Sequence, residues 1–294
     1  MTRFTAGKLH VHTSPEQLAK VTRALRATGR KIAFVPTMGA LHAGHRELMS
    51  RARRIPNTVL VASIFVNPLQ FGAGEDFDRY PRPLDADLAA CEEERVELVF
   101  TPAREALYPP DAQVTVHAGP LGEELEGAAR PGHFSGVLTV VAKLFNIVRP
   151  DYALFGEKDY QQLVLIKKMV RDLDMEPHII GVPTVRETDG LALSSRNAFL
   201  DADQRAAAVA LSAALTAGQY AGREGEQAVL ASARDVLART PELKVDYVAL
   251  RDPDLGPAPE RGDARLLVAA KLGDTRLIDN VPVLLGRPDL AQHG

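Results

Sequence analysis

Apolar residues gather in short unbroken runs at Lys31–Pro36 (KIAFVP), Thr58–Val66 (TVLVASIFV), Val96–Thr101 (VELVFT), Tyr152–Phe155 (YALF) and His178–Val182 (HIIGV). Continuous rather than alternating hydrophobicity predicts strands covered on both faces, as in a parallel sheet. The stretches between them read as helices. In Ser135–Val148, Val137, Val140, Val141, Leu144 and Val148 recur at the spacing of one buried helical face, with Ser135 in place to cap it. Arg46–Arg54 and Asp85–Arg95 have the same helical character. Strands alternating with helices predict a doubly wound, Rossmann-like α/β domain whose ligands bind at the carboxyl ends of the strands.

Beyond about residue 184 the pattern changes. A turn-rich segment leads into two Ala-rich helical stretches, Ala202–Ala221 and Glu226–Arg239, and then into β-like runs at Val245–Leu250 and Arg265–Leu272. The Pro/Gly-rich Asp252–Gly262 between these runs reads as a loop. Residues 1–184 are therefore expected to form the Rossmann-like domain and residues 185–294 a smaller α+β domain.

A chain of 294 residues is long enough for one large and one small domain with a deep pocket. A formal net charge of -3 provides no sequence-wide basic field for nucleic acid or an anionic membrane, so a small-molecule partner is favoured. The one cysteine, Cys91, cannot form an intrachain disulfide and reads as a packed small side chain in a helix. No run reaches the roughly 18 apolar residues of a membrane-spanning helix. A cytoplasmic protein is expected.

The strongest chemical signal is Pro36-Thr37-Met38-Gly39-Ala40-Leu41-His42-Ala43-Gly44-His45, directly after the first apolar run and directly before a helix. A strand that enters a glycine-containing turn and then a helix start presents backbone N–H groups and the positive end of a helix dipole to an anion, and phosphate is the natural guest. The small Ala43 and Gly44 leave room for a nucleotide near the backbone. Zinc coordination by His42 and His45 is set aside, because there is neither an H-E-x-x-H pattern nor a third ligand at a recognisable spacing. Walker A and G-x-G-x-x-G patterns are absent, which removes the usual support for kinase and dehydrogenase readings.

PTMGALHAGH resembles a segment of the pantothenate synthetases (pantoate–β-alanine ligases), a family within the nucleotidyltransferases that carry a His-x-Gly-His signature. The resemblance continues in order and spacing through SIFVNPLQF (Ser63–Phe71), RPGHFSGV (Arg130–Val137), KLFNIVRPD (Lys143–Asp151), FGEKDYQQ (Phe155–Gln162), DGLALSSRN (Asp189–Asn197) and LGDTRLIDN (Leu272–Asn280). It implies an ATP-dependent ligase that makes a pantoyl-adenylate, passes the acyl group to β-alanine, and releases AMP and pyrophosphate. The implied catalytic residues are His45, His42 and Lys158. Implied ATP contacts are Met38, Gly39, His42, Gly44, His45, Gly156, Glu157, Lys158, Asp159, Val185, Leu193, Ser194, Ser195 and Arg196. Gln70, Gln162, Asn67, Arg130 and His133 fall to pantoate, with Gln70 also serving β-alanine. Magnesium is implied with ATP. A magnesium-associated carboxylate falls on Asp87, although Ala86 stands where members often carry another acid. A homodimer is implied too, with a weak hint from TVLVASIFV and RLLVAAKLG, apolar runs that a larger assembly would shelter.

The residue chemistry agrees. Lys158 offers a point charge to a triphosphate, and Arg196 beside Ser194 and Ser195 offers a guanidinium fork and two hydroxyls to phosphate oxygens. Asp159 is a candidate acceptor for the nucleotide or a cap. Amides at Asn67, Gln70 and Gln162 both donate and accept, as a polyhydroxylated carboxylate needs, while Phe65, Pro68 and Leu69 offer apolar walls. Arg130 and His133 contact pantoate or order that wall. Gly72–Arg82 (GAGEDFDRYPR) has the composition of a mobile lid and equally of a solvated loop. A rival reading is an adenylyl transferase acting on a phosphate acceptor, against which stand Gln70, Gln162 and LSSR. Another is a non-catalytic nucleotide-binding module that contacts RNA, against which stands the lack of a basic extension.

Overall fold

The computed structural model describes residues 4–72 and 74–286. These form two compact units. The first comprises the chain up to Glu157 together with Gln162–Thr184, and the second comprises Lys158–Gln161 and the chain from Val185 onward. No pattern in the sequence announces that the tetrapeptide Lys158–Gln161 counts with the second unit.

The first unit holds strands β1 (His10–His12), β2 (Lys31–Thr37), β3 (Thr58–Ile64), β4 (Leu98–Phe100), β5 (Tyr152–Gly156) and β6 (His178–Val182). Its helices are α1 (Pro15–Ala27), α2 (Ala43–Arg53), α3 (Leu84–Glu93), α4 (Arg104–Leu107), α5 (Glu126–Ala129) and α6 (His133–Val148), together with α7 (Tyr160–Asp172) from Gln162 onward. The strands lie in the order β1-β4-β3-β2-β5-β6 and every pairing is parallel. From β2 the chain moves outward through β3 and β4, then crosses back to lay β5 and β6 on the other side. The carboxyl ends of β2 and β5 therefore flank the topological switch point, where an open α/β sheet binds its ligands.

Alternate residues of the strands enter two cores. Ile32, Phe34, Val59, Val61 and Phe155 pack with Val137, Val140, Val141, Leu144 and Val148 of α6, so the expected buried face of that helix is present. Ala33, Val35, Leu60, Ala62 and Leu154 pack instead with Leu48, Met49 and Ala52 of α2 and with Cys91 of α3. Burial on both faces is the reason these strands read as unbroken apolar runs. Cys91 is fully buried, and burial, helped by the nearby Asp87 charge, pushes its thiol pKa up to about 12, so it is inert packing.

Ser135 is not the cap of α6. Gly132, in the left-handed region at φ 81°, turns the chain into the helix two residues earlier, and the Ser135 hydroxyl instead accepts the Ala118 N–H at 3.2 Å. The sequence pattern also passed over β1 and α1. β1 has only three residues, and α1 buries only Leu18, Ala19 and Thr22, although Ser14 caps it and Pro15 opens it.

The second unit packs α8 (Ala202–Tyr220) and α9 (Glu226–Leu237) on an antiparallel sheet of β7 (Lys244–Arg251), β8 (Gly262–Leu272) and β9 (Thr275–Leu285) in that order. Leu266, Val268 and Ala270 meet Leu211 and Leu215 of α8 and Val229 and Ala233 of α9. β9 escaped the pattern because Asp279, Asn280 and Pro282 interrupt its apolar positions. β3 and β8, which carry the runs TVLVASIFV and RLLVAAKLG, are interior strands paired on both edges within the chain. Among the described residues no helix is long and apolar enough to cross a membrane.

Candidate active site

The turn after β2 is held from three directions. Thr37 Oγ1 donates to the Ser63 carbonyl at 2.7 Å and accepts the Gly39 N–H at 3.2 Å. Gly39 lies at φ 82° and Ala40 at φ 50°. The Asp87 carboxylate of α3, only 2% exposed, accepts the Ala40 N–H at 2.9 Å on one oxygen and the Leu41 N–H at 2.8 Å on the other. A Cβ on Gly39 would lie 2.7 Å from Asp87 Oδ2, so both backbone conformation and space call for glycine. Each oxygen of Asp87, the expected magnesium-associated carboxylate, thus accepts one backbone N–H of this turn, and the neighbouring Ala86 supplies no second acid. Among the described residues no group of three or more His, Cys, Asp or Glu side chains is arranged to hold a metal by protein ligands alone.

Helix α2 starts at Ala43, three residues before its apolar pattern suggests, because His42 is its N-cap and His45 stands at its third position. The two imidazoles form a capping box: His42 Nδ1 accepts the Gly44 N–H at 3.1 Å, and His45 Nδ1 accepts the His42 N–H at 3.3 Å. Their ring centroids are 4.1 Å apart. A nitrogen that accepts from the backbone carries no proton, so in each neutral ring the proton sits on Nε2. The cap therefore fixes two Nε2–H donors at a helix N-terminus, on the carboxyl edge of the sheet. A Cβ on Gly44 would come within 2.8 Å of the His42 ring, which accounts for the glycine between the histidines.

After β3, Asn67 caps the short turn Pro68–Gln70. Its amide nitrogen donates to Gln70 Oε1 at 3.0 Å and to the Gly136 carbonyl at 3.1 Å, while its oxygen accepts the Leu69 N–H at 3.3 Å and the Tyr108 hydroxyl at 2.9 Å. Both donors and both acceptor positions of the Asn67 amide are thus engaged within the protein, one of them on Gln70. Gln70 points its Nε2 at Met38 Sδ, 3.2 Å away. Burial pushes the Tyr108 phenol up, keeping it protonated as a donor. Arg130 and His133 meet the Gln70 main chain, donating to its carbonyl at 3.2 and 2.8 Å. Tyr108 and Glu75, the latter paired with Arg130, were not among the sequence candidates. Gln162 is half-buried in α7.

Gly136 of α6 lets that helix approach the Gln70 turn. A Cβ there would sit 2.2 Å from the Leu69 carbonyl oxygen and 2.7 Å from the Gln70 nitrogen, both backbone atoms that cannot rotate away. Gly136→Ala is expected to destabilise the protein by about 1–3 kcal/mol through overpacking and to displace Gln70. A thermal midpoint equal to wild type would refute the close contact.

β5 ends at Gly156, and Glu157 lies against Gly181 of β6, where an added Cβ would be 3.2 Å from Glu157 Oε1. In the second unit, Lys158 Nζ lies 3.8 Å from Asp159 Oδ1, and the Lys158 carbonyl accepts from Asn280 Nδ2 at 3.0 Å. Asn280 Oδ1 in turn accepts from Arg265 at 3.2 Å. Residues 185–193 double back, with Leu193 N–H donating to the Val185 carbonyl at 3.0 Å. Arg186 anchors this turn through a two-pronged pair with Asp279 at 2.6 and 2.9 Å. Ser194 caps the turn Ser195–Phe199, its hydroxyl oxygen accepting the Arg196 N–H at 3.2 Å. Asp279 and Asn280 close the LGDTRLIDN motif.

A parallel sheet with a glycine turn and a histidine-capped helix start at its switch point is the arrangement by which an α/β enzyme receives an anionic ligand. Residues 10–282 match the model of the pantoate-beta-alanine ligase family. A curated relative, pantothenate synthetase from Saccharopolyspora erythraea, is 66% identical over 283 residues, 96% of this chain and 94% of that protein. Among solved structures, pantothenate synthetase from Thermus thermophilus matches with a TM-score of 0.85 at 46% identity, covering 92% of this chain and 98% of that one. Pantoate-beta-alanine ligase from Francisella tularensis, solved in complex with "Beta-gamma ATP and Beta-alanine", matches with a TM-score of 0.77 at 34% identity, covering 93% and 97%. The chain belongs to the pantoate–β-alanine ligase family.

Proposed function

We propose that this chain condenses pantoate with β-alanine to give pantothenate, using ATP to activate the acid. The observation that carries the reading is the histidine-capped helix start at the end of β2, in a chain whose family membership spans nearly its whole length. A carboxylate and an amine do not condense at neutral pH, because hydroxide is a poor leaving group. In the first step a pantoate carboxylate oxygen attacks the α-phosphorus of ATP, the bond from that phosphorus to the bridging oxygen breaks, and magnesium pyrophosphate leaves. In the second step the β-alanine amine attacks the acyl carbon of the pantoyl-adenylate, AMP departs with the C–O bonding pair, and the amine loses a proton.

Magnesium enters as part of the substrate complex with ATP, in keeping with an ion that is commonly held by phosphate oxygens and water. The Nε2–H groups of His42 and His45 and the Lys158 ammonium stabilise charge on the phosphates. Met38, Gly39 and Gly44, with Gly156, Glu157, Asp159, Val185, Leu193, Ser194, Ser195 and Arg196, are assigned to the rest of the nucleotide. Gln70 and Gln162 are assigned to pantoate, and Gln70 also to β-alanine. Asn67, Arg130 and His133 are assigned to the same pantoate subsite, and each also bonds Gln70.

Incubation with ATP, magnesium, pantoate and β-alanine should yield pantothenate by mass together with AMP. Silence in that assay sinks the reading. Because the half-reactions use different nucleophiles at different atoms, pyrophosphate exchange into ATP should require pantoate but not β-alanine. Exchange that appears only with β-alanine would rule out the stepwise order. A cytoplasmic homodimer completes the proposal, supported by family resemblance, and light scattering at micromolar concentration tests it, a monomer overturning the oligomeric state.

A further inference from the structure

We propose that Glu75 is a positioning residue for pantoate, acting through Arg130 and His133 on the turn that carries Gln70. The inference rests on the assignment of Gln70 to pantoate. Glu75 lies in the glycine- and charge-rich segment after that turn, and its carboxylate takes Arg130 in a fork, at 2.7 Å from Nε and 2.6 Å from Nη2. Arg130 Nη2 also donates to the Gln70 carbonyl at 3.2 Å, and Nη1 lies 3.1 Å from His133 Nε2. A carbonyl can only accept, so the 2.8 Å contact from His133 Nδ1 to the Gln70 oxygen places the imidazole proton on Nδ1. His133 Nε2 is then an acceptor for Arg130, and all the contacts are satisfied with a neutral ring. The chain of bonds runs from Glu75 to two donors on one carbonyl, and from that residue's side chain to Asn67.

The fork is well sheltered, with the Arg130 side chain 14% and the Glu75 side chain 24% exposed. Burial works against the Glu75 carboxylate, but the bonds and charge of Arg130 outweigh it and hold the group below the usual carboxylate range. Rings flank the segment: Phe71 contacts Phe77 and Tyr80 at centroid distances of 5.3 and 5.9 Å. Without the carboxylate, a largely buried guanidinium loses its counter-charge and turns toward water, withdrawing one donor from Gln70 and the partner of His133.

The test compares wild type, Glu75→Ala and Glu75→Gln by initial rates with pantoate varied, and again with ATP varied. Glu75→Ala should raise the KM for pantoate roughly tenfold, the scale of a small misplacement, with kcat and the KM for ATP within about twofold. Glu75→Gln should fall between, since its carbonyl still accepts one bond from Arg130. An unchanged pantoate KM in Glu75→Ala overturns the inference, and so does an equal loss in every parameter, which marks a general structural role. If wild type makes no pantothenate, the ligase reading has failed, and calorimetric titration of pantoate decides this inference by itself. Weaker binding to Glu75→Ala than to wild type sustains it, whereas equal binding, or none to wild type, overturns it.

Discussion

His45→Ala is expected to slow adenylate formation by on the order of 10²–10³, the usual consequence of removing a preorganised donor from developing charge. Two effects are combined in that variant. The Nε2–H donor is lost, and so is the Nδ1 acceptor that covers the His42 N–H at 3.3 Å. Losing a cap costs about 0.5–2 kcal/mol, so the thermal midpoint should drop by a few degrees without loss of fold. His45→Gln separates the effects. Glutamine at the third helical position is the ordinary partner of a capping box, so it should restore the cap and the midpoint but not the rate. Single-turnover adenylate formation with ATP and pantoate is the measurement. A rate within about threefold of wild type in His45→Ala would leave the backbone at the helix start to hold the phosphates alone.

That a strand feeds a helix through PTMGALHAGH is visible in the sequence, whereas the way its two rings cap the helix is not. Capping depends on which ring nitrogen meets which N–H, and the pattern placed the helix start three residues late for want of that knowledge. The central strands were legible for a simple reason: a strand buried on both faces needs apolar side chains at every position. β9 carries the opposite lesson. Asp279 and Asn280 are each 3% exposed, yet their polarity masks the strand. Their partners Arg186 and Arg265 lie 93 and 15 residues away, outside any local window. Asn67 reads as a substrate ligand because an amide with both donors and acceptors suits a hydroxy acid, whereas its bonds to Tyr108 and to the Gly136 carbonyl, 41 and 69 residues away, are visible only in the fold. Glu75 was hidden for a similar reason, lying in a segment whose composition suits a lid and a solvated loop equally. Its role follows from Arg130, 55 residues further on.

Lys158→Ala should reduce the adenylation rate by about 10²–10³ while leaving the KM for pantoate within about threefold, since the ammonium is assigned to phosphate oxygens and not to the acid. The surroundings of the residue make the variant informative. Its backbone is tied down independently of its side chain, by the 3.0 Å bond from Asn280 Nδ2 to its carbonyl. The pair between its ammonium and Asp159, at 3.8 Å with the aspartate side chain 49% exposed, is of the kind that adds little to stability. Truncation should therefore leave the thermal midpoint close to wild type, and a large rate loss would report chemistry and not unfolding. Lys158→Arg keeps the charge but replaces a compact ammonium with a planar fork of different reach, so it should recover only part of the rate. Pyrophosphate exchange reads the first step directly, without β-alanine. If Lys158→Ala exchanges at the wild-type rate under saturating pantoate and loses only pantoate affinity, the ammonium belongs with the carboxylate substrate, and the neutral Nε2–H groups of His42 and His45 are left as hydrogen-bond donors to the phosphates.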